Sequence, residues 1–325
     1  MGGSTSESDL KTDEITQIVR VLSQKLTEPT NKHPSVQWVS EYSLIKLLGE
    51  VRNELELSEN KSGKSLLKAL VESSLATTKK IDTVPQGKKP HVVYCLEFGG
   101  VPEISSSELL LSTQADFLKT AICYFSAIYY HELTTQIPAY HHIAILKNMG
   151  KRSSEEHLKV LFLKQEYLEK SLNVKPSLGT LLFSYDGTPY YQTSRDEILM
   201  PGVQEVRLSP TLLARITTLE QTLLDTLHNP WSCGGPAVVF EAWQNGVSLI
   251  DDSLLNDYLC KIGRVDVDLR VGYMLDQFEY DYCSEDLAKR FVDAKKMVKQ
   301  GDLPFLPLLP KVPGQNNNTE WGLIV

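Results

Sequence analysis

The chain is short of the features that usually announce a chemistry. Its 325 residues include five cysteines (Cys95, Cys123, Cys233, Cys260 and Cys283), odd in number, widely spread and without a CxxC pair. That argues against a disulfide framework or a cysteine-built zinc site, and it fits reduced thiols. No apolar run approaches the ~20 residues that a bilayer-spanning helix needs, and no apolar signal-peptide core stands at the N-terminus. The expectation is therefore a cytoplasmic protein, with peripheral membrane contact at most. Positive charge is scarce as well: the net charge is -8, which argues against a general polyanion binder and leaves room only for a local basic groove. Lys79, Lys80, Lys88 and Lys89, then Lys147, Lys151 and Arg152, then Lys295, Lys296 and Lys299 form local clusters, each read first as a solvated helix or loop end. Metal motifs are missing. Asp266 and Asp268 share one face if they lie in a strand, His141 and His142 are adjacent and diverge on a helix, and the acids of 276–286 lack a calcium-loop glycine. No metal and no cofactor are expected.

What the chain does have is core-forming pattern. Apolar residues spaced by three and four predict helices over 9–26, 35–57 and 65–75, joined as a bundle. The densest patterning lies in 113–172. It predicts a helix through Phe117, Ala121, Tyr124, Ile128 and His131, a short helix over 139–149, and a third over 153–172 begun by a Ser153/Glu156 capping box. Residues 91–98 read as a strand. Beyond 173 the texture changes. Hairpins are expected around Asp186-Gly187 and Asn245-Gly246, and strands over 203–208 and 265–271. Helices are expected from Ser209-Pro210 to Leu227, over 253–262 and over 284–299. The fold class is α+β and predominantly helical, divided as a flexible start (1–8), a helical domain (9–173), an α+β domain (174–301) and a Pro-rich apolar arm (302–325).

Three short motifs bear on function. Met1-Gly2-Gly3 with Ser6 matches the N-myristoylation pattern, with Gly2 as acceptor; one such chain gives only reversible membrane contact. Ser58 to Ser65 resembles a P-loop, with Gly63, Lys64 and Ser65 in place and Ser58 where the first glycine belongs. A P-loop follows a buried strand, whereas 52–57 reads as helical and charged. Ser232-Cys233-Gly234-Gly235-Pro236 resembles the nucleophile loop of chymotrypsin-like proteases or their viral cysteine variants, in which Cys233 would be the nucleophile. The resemblance covers five residues, and the helical first half departs from that family's double β-barrel.

The C-terminal arm carries Pro304, Pro307, Pro310 and Pro313 at every third position, with Phe305, Leu306, Leu308, Leu309 and Val312 between them. Three residues per turn in a polyproline helix make the prolines one edge and the apolar residues the other two. The chain then ends Trp321-Gly322-Leu323-Ile324-Val325, an apolar terminus expected to be anchored. The interaction residues expected on this basis are Pro304, Phe305, Pro307, Leu308, Pro310, Leu323 and Val325. The resulting expectation is a non-enzymatic interaction or assembly protein, acylated at Gly2 and self-associating through its arm, of viral capsid or nucleocapsid type. Its partners would be proteins or further copies of itself. The alternatives are an RNA-binding nucleoprotein, a cysteine hydrolase using Cys233, and a P-loop-like NTPase.

Overall fold

Leucines at helical spacing organise the start of the chain, and a three-stranded sheet closes on them. In this computed structural model, which describes residues 12–27, 38–58, 61–81, 91–96, 103–112, 119–148, 177–209 and 212–325, the fold is mixed α and β and divides into two compact units. The first comprises Met1–Thr120 with Leu182–Tyr190 and Glu205–Arg215; the second comprises Ala121–Leu181, Tyr191–Gln204 and Ile216–Val325.

In the first unit, α1 (Thr12–Thr27) buries Ile18, Leu22 and Leu26 on one stripe. Strand β1 (Trp38–Ser40) leads directly into α2 (Glu41–Glu54), where the Ser40 hydroxyl accepts the Ser43 amide at 3.2 Å as an N-cap. Helix α2 buries Leu44, Leu47, Leu48 and Val51. Helix α3 (Gly63–Glu72), capped by Ser62, buries Leu66, Leu67 and Leu70. Strands β2 (Ala76–Ile81) and β3 (His91–Leu96) pair antiparallel, and β1 adds antiparallel to β3, giving the order β1-β3-β2. Helix α4 (Ser106–Ser112) starts from a reciprocal cap: Glu108 Oε2 accepts the Ser105 amide at 3.0 Å, and Ser105 Oγ accepts the Glu108 amide at 3.2 Å.

A six-stranded sheet follows, in the order β6-β7-β5-β4-β9-β8. Its strands are β4 (Thr120–Ile122), β5 (His141–Lys147), β6 (Thr180–Tyr185), β7 (Thr188–Asp196), β8 (Val203–Ser209) and β9 (Leu212–Thr217); β4 and β9 run parallel. Short α5 (Phe125–Tyr130) follows β4. The helices of the second unit then run in succession: α6 (Leu219–His228), α7 (Pro236–Gly246), α8 (Asp252–Ile262), α9 (Val265–Gln277) and α10 (Glu285–Lys299). Trp243, Leu259, Leu269, Met274 and Leu287 are among the side chains of its core.

Several expected elements are different in the structure. Within the described part of the helix expected through Phe117, Ala121, Tyr124, Ile128 and His131, the chain forms strand β4 followed by short α5, and within the helix expected over 139–149 it forms strand β5; Phe117 lies outside the described residues. Both strands are buried on both faces for most of their length, so their apolar residues carry no two-residue period to mark them. With β1, β2 and β3 also present, the first half is mixed rather than helical. The helix expected from Ser209-Pro210 begins only at Leu219, after β9. Asn245-Gly246 ends helix α7 and joins no hairpin. Residues 265–271, expected as a strand, lie in α9, because the alternating acids do not face water: Asp266 pairs with Arg264 and Arg270, and Asp268 with Arg290. Gly2 and the helix expected over 153–172 fall outside the described residues.

Candidate functional site

In the first unit, α2 and α3 pack as a helix pair, and α3 runs on into the β2–β3 pair. Close approach of the two helices depends on Gly63: a Cβ at this position would stand 2.4 Å from the Ile45 carbonyl oxygen, inside any tolerable contact. Leu66, Leu67 and Leu70 face inward, which turns Lys64, Ser65, Lys68, Val71 and Glu72 outward. Lys64, Lys68 and Val71 follow one another at spacings of four and three, and so form a single exposed stripe. Among the described residues Lys64 makes no ion pair. Lys68 meets Glu72 at 3.7 Å with both side chains mostly exposed, a contact weak enough to give way to another partner. Lys61 is held by Glu14 of α1 at 2.6 Å.

The charge around this helix departs from that of the chain. Residues 61–90 hold seven lysines against Glu72 and Asp82, a net of +5, in a chain whose total is -8. Helix α3 has no acid in its first turn, where free backbone amides already favour an anion. The segment that resembled a P-loop stands between two helices. Helix α2 precedes it where a strand would be required, Ser62 is spent as the N-cap, and Ser65 Oγ donates back to the Ser62 carbonyl at 2.8 Å.

Cys233 lies in a short 3-10 turn, wholly buried, and burial together with Asp225 pushes its thiol well above the ordinary range. An activated thiolate needs the opposite surroundings, with a nearby cation and partial exposure. The neighbouring polar groups are also closed in. Arg195 of β7 donates to Tyr124 Oη at 2.7 Å and to Asp225 Oδ1 at 3.1 Å, and Gln221 donates to the same carboxylate oxygen at 3.0 Å. Burial works against the Arg195 cation, but Asp225 outweighs it, so the guanidinium titrates above its usual value. The geometry is that of a buried structural ion pair, in which Asp225 Oδ1 takes both bonds and Oδ2 has no hydrogen-bond partner among the described residues. His142 is equally enclosed, against Tyr124, Tyr140 and Tyr191. Its Nε2 donates to the Leu178 carbonyl at 2.8 Å, Nδ1 has no partner among the described residues, and burial lowers its pKa to about 4.

The arm residues lie against their own unit. Pro304, Pro307, Leu308 and Leu323 are buried, Phe305, Pro310 and Val325 are partly so, and β10 (Leu306–Pro307) pairs parallel with β12 (Leu323–Ile324), itself paired antiparallel with β11 (Asn317–Asn318). Trp321 is the anchor. Its Nε1 donates to Asp276 at 2.9 Å and Lys295 lies 4.0 Å over its ring. Among the described residues no group of acids, histidines and cysteines could hold a metal ion, and no helix is long and apolar enough to cross a membrane.

Sequence reasoning placed the helices flanking this stripe but missed the arrangement that gives it meaning. The missed signal was the Ala-Thr-Thr-Lys-Lys-Ile run after α3, a strand whose paired lysines read as loop. No family model matches the chain, and no curated protein matches it. Among solved structures, the crystal structure of the RV2827C protein from Mycobacterium tuberculosis is similar in outline, at 15% identity and a TM-score of 0.48 over 95% of this chain and 89% of that one.

Proposed function

We propose that the protein binds double-stranded nucleic acid through its first unit, a winged helix-turn-helix in which α3 is the helix presented to the partner. The observation that carries this reading is the exposed Lys64-Lys68-Val71 stripe of α3 inside a segment of net +5. The order α1-β1-α2-α3-β2-β3 with strand order β1-β3-β2 supports it, because a helix pair followed by a hairpin is an arrangement that sets the second helix into a groove. The rest of the chain carries a net of -13, which favours one oriented docking face over diffuse adhesion to polyanions. Assembly through an exchanged arm draws less support, since the apolar arm residues are covered within one chain.

The test is fluorescence anisotropy of the full chain with a random 20-base-pair duplex at rising salt. Affinity should fall linearly on log axes, with a slope set by the number of phosphates neutralised. Lys64→Glu with Lys68→Glu should lower affinity at least tenfold at low salt while leaving the thermal midpoint within a few degrees. No binding at about 50 mM salt, or binding indifferent to the double substitution, overturns the reading.

A further inference from the structure

We infer that Lys68 and Val71 make the binding sequence-selective, reading a guanine and a nearby thymine in the major groove of B-form DNA; this rests on the nucleic-acid reading above. The basis is what α3 exposes. Its leucines and Ala69 are buried, so Val71, 36% exposed, is the one apolar side chain of α3 that faces outward. In a major groove it has a partner, because thymine is the base that presents a methyl group, while guanine presents the O6 and N7 acceptors that an ammonium can reach.

Spacing fixes the order. Lys64, Lys68 and Val71 fall within about 60° around the helix axis, and Lys68 and Val71 are about 4.5 Å apart along it. That is a little over one base-pair step of about 3.4 Å, so the two readers address adjacent or next-but-one base pairs. Lys64, at the amino end beside the free amides of α3, falls to phosphate. Ser65 is committed to Ser62 through its own hydroxyl, which leaves it out of readout. The deep, narrow major groove of A-form RNA does not admit a helix, so the partner is DNA.

The test has two arms, both on the full chain. Selection from random 20-base-pair duplexes should yield sites with a G·C pair within two steps of a T·A pair. Replacing that thymine by uracil, which removes only the methyl, should weaken binding about fourfold, the effect of exposing one methyl-sized group, and Val71→Ser should abolish the difference between thymine and uracil. Lys68→Ala should relax the preference for guanine. Selected duplexes with no such pairing, uracil tolerated without loss, or a thymine preference that survives Val71→Ser would overturn this inference while leaving duplex binding intact. Tighter binding to an RNA duplex of the same sequence would overturn it too. Absence of any duplex binding would remove both it and the reading on which it rests.

Discussion

At the scale of the residue, burial decides which side chains can do chemistry here. Cys95, Cys123 and Cys233 are buried and Cys260 and Cys283 exposed, so a thiol reagent should modify two cysteines rapidly in the native protein and all five after denaturation. Fast labelling of Cys233 would contradict its enclosure. His142 gives a pH signature. Its folded pKa of about 4 lies below the unfolded value near 6.5, so the unfolded chain takes up the proton first. Its contribution is present above pH 6.5 and is lost as pH falls towards 4, by about 3 kcal/mol. Asp268, raised to about 6 chiefly by burial against the opposing pull of Arg290, acts in the opposite sense over the same window: its contribution is present at low pH and lost as pH rises through 6. The informative comparison is therefore with His142→Asn, whose unfolding free energy should fall less steeply between pH 6.5 and 4. Parallel curves would contradict the assignment.

At the scale of the element, two close contacts hold the parts that matter. Gly272 of α9 faces the Trp321 ring, and a Cβ there would stand 2.1 Å from it. Gly272→Ala should cost about 1–3 kcal/mol by overpacking, and Trp321→Ala about 3–5 kcal/mol by leaving a cavity, both measured by denaturant unfolding. Equal stability of Trp321→Ala and the natural chain would show that the arm is not pinned. Gly63→Val should instead loosen α3 against α2 and lose duplex binding while the second unit keeps its stability. The same scale explains what could be read beforehand. The hairpin at Asp186-Gly187, strand β3, helices α8 and α10 and the three N-terminal helices follow from turn chemistry, caps and a one-sided apolar stripe. Strands β4 and β5 lack that signal because both faces are covered. Helix α9 gave the opposite signal, since its alternating acids are buried on arginines. The α3 stripe was divided in the sequence between the P-loop-like segment that carries Lys64 and the helix expected over 65–75 that carries Lys68 and Val71, and β2, which follows α3 and packs on it, gave no strand signal.

At the scale of the whole molecule, the chain combines an acidic balance with a basic segment over 61–90. The total is -8 and residues 61–90 carry +5, so the positive charge of that segment stands against an acidic remainder. A net charge averages over such a segment, so it does not test the proposed duplex binding in either direction. The most direct measurement is hydrogen exchange of the full chain with and without a duplex it binds. The account predicts added protection over α3, Gly63–Glu72, together with the adjoining β2, and unchanged exchange in α6 to α10. Protection confined to the second unit, or none in α3 at saturating duplex, would contradict it.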